Sequence, residues 1–107
     1  MKKILLTPYH SHVVVTRSVA EAKRVYKRIT KKYLELAHNT YGVSIELERK
    51  GFANTYFVFA RSTSDLAHEF GHVLLWLFKK IGSDPAEGGG EPFCYMLSHL
   101  MDEAARK

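Results

Sequence analysis

Residues 66–81 constrain this chain more than any other stretch. Leu66, Ala67, Phe70, Val73, Leu74, Leu75, Trp76, Leu77 and Phe78 make a helical pattern that is apolar almost all round. Thr63, Ser64 and Asp65 offer N-caps before it, Lys79 and Lys80 suit its last turn, and Gly82 stands just past its end. A helix with so little polar surface belongs at the centre of a fold, with the other elements packed around it. The 107 residues suffice for a single domain spanning 1–107. One cysteine, Cys94, excludes a disulfide-stapled mini-protein. The apolar run Ile4-Leu5-Leu6 is too short for a signal-peptide core, and no stretch approaches the ~20 apolar residues of a membrane span. The expectation is a soluble cytoplasmic protein with no membrane partner.

Around the central helix the patterns alternate between sheet and helix. Val13-Val14-Val15 reads as a short β-branched strand. Ser18 and Glu21 have capping-box spacing, so a helix should begin there and run to about His38-Asn39. Its apolar stripe is Ala22, Val25, Tyr26, Ile29, Tyr33, Leu36 and Ala37, with a basic opposite face. Val43, Ile45 and Leu47 alternate with polar residues as in a half-buried strand, and Thr55–Ala60 is a second strand. A loop over 49–54 would join them as an antiparallel hairpin. Residues 83–90, with Gly88-Gly89-Gly90, form a connection, and Pro92 suits the first turn of a last helix running to about Ala105. The expected fold is α+β: a small antiparallel or mixed sheet of about three strands with three helices on one face, in the order β-α-β-β-α-α.

Inside the central helix lies His68-Glu69-Phe70-Gly71-His72. Positions i and i+4 differ by about 40° around a helix, so both imidazoles can bind one Zn²⁺. Glu69 can then act as general base on a water at the open metal position. Three ionisable side chains on so apolar a helix need a partner, and a metal supplies one. Catalytic zinc takes a third protein ligand. A third histidine at i+10 is excluded, because Phe78 stands there. Asp84, Glu87, Glu91 and His99 are the candidates downstream. Glu91 is preferred: it opens a helix 19 residues after His72, which leaves enough chain to turn and return. On that helix Tyr95 shares a face with Glu91 and could donate to a developing oxyanion. His99 reads as a surface residue and Cys94 as a small core residue.

The run Leu66-Ala-His-Glu-Phe-Gly-His-Val-Leu-Leu, followed by Gly82 and Glu91-Pro-Phe-Cys-Tyr95, resembles the small His-Glu-x-x-His proteins of phages and prophages. It is also similar to the core of zincin metallopeptidases with a glutamate as third ligand, including the ImmA/IrrE type. The resemblance covers residues 43–103. It implies a minimal zincin with His68, His72 and Glu91 as Zn²⁺ ligands and Glu69 as base. The implied function is a zinc-dependent metallohydrolase, a peptidase acting on a peptide or protein, with Thr55–Ala60 as the edge strand that pairs with substrate. The alternative is a phage-encoded binding or inhibitor protein, directed at a bacterial host protein, whose metal site is structural or vestigial.

Two features stand apart from that reading. His10 and His12 would share a strand face, which reads as a pair of exposed histidines ahead of a second metal site. The net charge of +5 is confined to the first half, where residues 1–50 hold 11 Lys/Arg against 4 Asp/Glu and residues 51–107 hold 5 against 7. Lys23, Arg24, Lys27, Arg28 and Lys31 could track phosphates. With Tyr26 and Tyr33 in the apolar stripe, no stacking platform accompanies them, so the face reads as solvated and nucleic acid is not the expected partner.

Overall fold

The computed structural model describes residues 1–6, 9, 11–37, 39–48 and 54–106. His10, His38 and residues 49–53, where the sequence pattern expects the hairpin loop, lie outside the described residues. Four strands form one sheet in the order β1-β2-β4-β3: β1 (Lys2–Leu6), β2 (Ser11–Thr16), β3 (Gly42–Leu47) and β4 (Thr55–Ala60). The outer pairs are antiparallel, and the central pair β2 and β4 is parallel, from His12 beside Thr55 to Thr16 beside Phe59. The expected hairpin is present, with Gly42 opposite Ala60 and Leu47 opposite Thr55.

The sheet has one strand more than the sequence patterns indicate. Lys2–Leu6 is that strand: Ile4 and Leu6 turn inward while Leu5 stays 64% exposed. Its Leu-Leu pair and unbranched lysines hide the alternation that would mark it. A second correction concerns Thr55–Ala60. It is central, not an edge, and every residue in it is buried, as a strand covered on both faces requires. The edge of the hairpin is β3.

The helices also lie on both faces rather than one. Successive strand residues point to opposite sides. Val14, Phe57 and Phe59 meet Ala22 and Val25 of α1 (Val19–Thr30), with the Tyr26 ring edge-on to Phe57 at 5.2 Å. Val13, Val15, Tyr56 and Val58 pack against Phe70, Val73, Leu74 and Leu77 of α2 (Thr63–Ile81) and Leu100 of α3 (Glu91–Ala105). Burying a large aliphatic or aromatic side chain stabilises by about 1.5–3 kcal/mol, so this double-sided core carries the fold.

Local chemistry sets the helix ends. Ser18 accepts from the Glu21 N–H at 3.1 Å, the expected N-cap, while the Glu21 side chain accepts from the Arg17 N–H at 2.9 Å, one residue before the Ser18 N–H that a full capping box would engage. α1 then stops at Thr30, eight residues short of the sequence expectation. The Thr30 hydroxyl donates back to the Tyr26 carbonyl and accepts from the Lys32 N–H, and Lys31 turns left-handed at φ 64°. Tyr33 therefore leaves the apolar stripe and is 77% exposed. Gly88, Gly89 and Gly90 have φ of 64°, 69° and 79°, three consecutive left-handed residues that only glycine adopts at little cost. Among the described residues no helix is long and apolar enough to cross a membrane.

Candidate metal centre

α2 holds the His-Glu-x-x-His residues on a well-defined frame. Ser62 caps its start, accepting from Asp65 N–H at 3.1 Å, and Gly82 closes its end in the left-handed region. His68 and His72 are both exposed, their Nε2 atoms 3.2 Å apart and their rings edge-to-face at 4.8 Å. Two ligands each ~2.05 Å from a tetrahedral zinc stand about 3.3 Å apart, so the pair has the spacing of a chelate.

Glu69 lies about 100° further round the helix and turns towards the sheet, where it is only 8% exposed. Ser44 of β3 donates to its Oε1 at 2.8 Å. A Cβ on Gly42 would stand 3.0 Å from Glu69 Oε2 and 3.2 Å from the Phe59 carbonyl oxygen, so the glycine opens the space in which this carboxylate sits. The Glu69 carboxylate therefore lies in the crevice between α2 and the edge strand β3, while the imidazoles remain at the solvent side.

Further along β3 lies an open cleft of about 620 Å³, lined by Glu46, Glu48, Asn54, Trp76, Lys79 and Lys80. Trp76 continues the histidine row, 6.4 Å from His72, and its ring is parallel to that of Tyr56 at 6.3 Å. Asn54 Nδ2 donates to Glu46 at 2.9 Å. The Tyr56 hydroxyl beside them is buried and, among the described residues, makes no hydrogen bond of good geometry. Burial, and then the Glu46 carboxylate, push this phenol up to about 12.

Comparison with protein-family models, curated proteins and solved structures returned no match to the chain.

Glu91 does not join the histidines. Among the described residues no group of three His, Cys, Asp or Glu side chains lies close enough to hold a metal ion. Phe93 pins the start of α3 to Phe78 of α2 with ring centroids 5.6 Å apart. Phe78 is about 9 Å along α2 from His72 and about 120° round it, so α3 docks on a different flank. Tyr95 is 71% exposed and lies with Leu5, Leu6, Met96 and His99 beside β1. β1 is the opposite sheet edge from β3, three strand spacings or about 14 Å away, so Tyr95 is far from Glu69. Phe93, Leu97 and Leu100 pack inward against the core, and Ser98 and Asp102 face water. Cys94 is exposed, not in the core. His12 is half-buried, its Nε2 3.2 Å from the Thr55 hydroxyl.

Ser44, Gly42 and Tyr56 were not singled out by the sequence. The alternation Ser44-Ile45-Glu46 was the available signal: its polar side, read as solvent-facing, faces α2.

Proposed function

We propose that the chain is a zinc-dependent hydrolase of minimal zincin type acting on extended peptides. The observation that carries this is the 3.2 Å separation of the His68 and His72 Nε2 atoms with Glu69 held between α2 and the sheet edge. The donor set fits zinc in atom type and spacing, with these two imidazoles as the chain's own ligands. Bound there, zinc supplies Lewis acidity and lowers the pKa of water. Glu69 is the proton acceptor and later the donor to the leaving amine, and Ser44 orients its carboxylate by holding Oε1. β3, not Thr55–Ala60, is the strand on which an extended substrate pairs, because its outer edge runs beside Glu69. Trp76 then contacts a substrate side chain about two residues from the bond that breaks, since four helix residues and two strand residues both advance by ~6 Å.

The docking of α3 through Phe93 on Phe78, on another flank of α2 than the histidine pair, favours a second reading, a binding protein directed at another protein, with a metal site that does no hydrolysis. Calorimetric zinc titration and peptide hydrolysis decide between the two. Stoichiometric zinc lost in His68→Ala, with peptide cleavage abolished but zinc retained in Glu69→Gln, supports the hydrolase. Zinc uptake without cleavage of any peptide in a degenerate library selects the binding protein. A folded chain that takes up no zinc refutes both.

A further inference from the structure

The basic face is a larger feature than its role in the fold requires. Residues 17–41 hold seven Lys/Arg against two Asp/Glu, while the other 82 residues hold nine against nine. The whole net charge of +5 thus sits on α1 and the chain just after it. Lys23, Arg24, Lys27 and Arg28 on α1 are exposed, as are Lys31 and Lys32 beyond it. Of the two acids, Glu21 is engaged by the Met1 amino group at 2.8 Å and by the Arg17 N–H. The early end of α1 adds what the sequence pattern excluded. Tyr33 is displayed among these cations, with Lys27 Nζ 3.8 Å from its ring centroid and donating to its hydroxyl at 2.6 Å.

We infer that this surface binds single-stranded nucleic acid, the lysines and arginines tracking phosphates and Tyr33 stacking on a base. An exposed aromatic ring in a basic groove or patch is the combination that unpaired strands use, whereas the bases of a duplex are already stacked. A membrane surface fits less well. The apolar side of α1 is committed to the sheet through Ala22, Val25 and Tyr26, which leaves nothing to insert. An acidic protein would satisfy the charges but not the ring. The surface lies on the opposite face of the sheet from α2, so it works independently of the histidine pair.

The test is fluorescence anisotropy of a labelled twelve-residue oligothymidylate with the full chain. With four to six phosphates neutralised, log K should fall with log salt at a slope of about −3 to −4. Raising salt from 50 to 200 mM then weakens binding about 50- to 300-fold. Tyr33→Ala should weaken it about 5- to 150-fold with the salt slope unchanged, and Tyr33→Phe should not. Lys27→Glu with Arg28→Glu, both on exposed positions, should abolish binding while circular dichroism stays that of the wild type. No binding at 50 mM salt overturns the inference. So does equal competition by polyglutamate together with a silent Tyr33→Ala, which would assign the surface to an acidic protein.

Discussion

Tyr56→Phe should stabilise this protein, an unusual expectation for a fully buried side chain. The ring stacks on Trp76 and lies under the central strand, and the substitution keeps both contacts. It removes one hydroxyl, which is covered and, among the described residues, makes no hydrogen bond of good geometry, with Asn54 and Glu46 only standing beside it. A buried polar group without a partner costs about 1–3 kcal/mol, so the gain at neutral pH should be about 1–2 kcal/mol, or roughly 5–10 °C in Tm. The pH dependence carries a second signature. The folded phenol titrates at about 12 against 10.0 for an ordinary tyrosine. Between these values the unfolded chain loses the proton and the folded chain keeps it, so wild-type stability falls with rising pH by about 1.4 kcal/mol per unit. Phenylalanine abolishes that component. Urea denaturation of both proteins at pH 7, 10 and 11 should therefore give a difference that has widened by only about 0.4 kcal/mol at pH 10, where the unfolded tyrosine is half ionised. It should then widen by about 1 kcal/mol at pH 11. A destabilised variant at pH 7, or a difference independent of pH, would refute the reasoning.

Gly42→Ala should destabilise by about 1–3 kcal/mol in the same denaturation assay, because its Cβ meets the Glu69 carboxylate and the rigid Phe59 carbonyl. Gly71→Ala should do the reverse and stabilise by about 0.5–1 kcal/mol, since a Cβ there meets nothing within 4 Å and alanine is the better helix former. Ser44→Ala takes the 2.8 Å donor from a nearly buried carboxylate and should cost about 1–3 kcal/mol, with Ser44→Thr restoring most of it. If Ser44→Ala is silent in both stability and peptide cleavage, Ser44 does not orient Glu69.

What was legible in the sequence was mostly local. The cap at Ser18, the stop at Gly82 and the i, i+4 histidines are fixed by neighbours in the chain, and each lies where its pattern indicates, whereas the cap of α2 is Ser62, one residue before the Thr63–Asp65 stretch that the pattern offers. The β3–β4 hairpin is nearly as local. The parallel pairing of β2 with β4 joins residues 43 positions apart, and no periodicity reports it. That pairing places β4 at the centre and moves the open edge to β3. Glu91 shows the same limit: the chain from His72 is long enough to return, but which flank of α2 receives α3 depends on Phe78 meeting Phe93. Tyr33 failed for the opposite reason. Its 100° periodicity is sound, but a threonine that bonds to its own helix ended the turn first.

The placement of β4 between two earlier strands governs the order in which this chain can fold. As the polypeptide leaves the ribosome, β1, β2 and β3 emerge first, and β2 and β3 have no direct pairing to make. Each awaits the same missing neighbour, and the inward sides of α1 and of the β1–β2 ribbon stay wet until it arrives. The sheet can close only after Ala60 is free, and its second face is covered only once α2 follows. The domain is built around a keystone laid past its midpoint, so its nascent first half should depend on chaperones or fast translation more than its modest size implies.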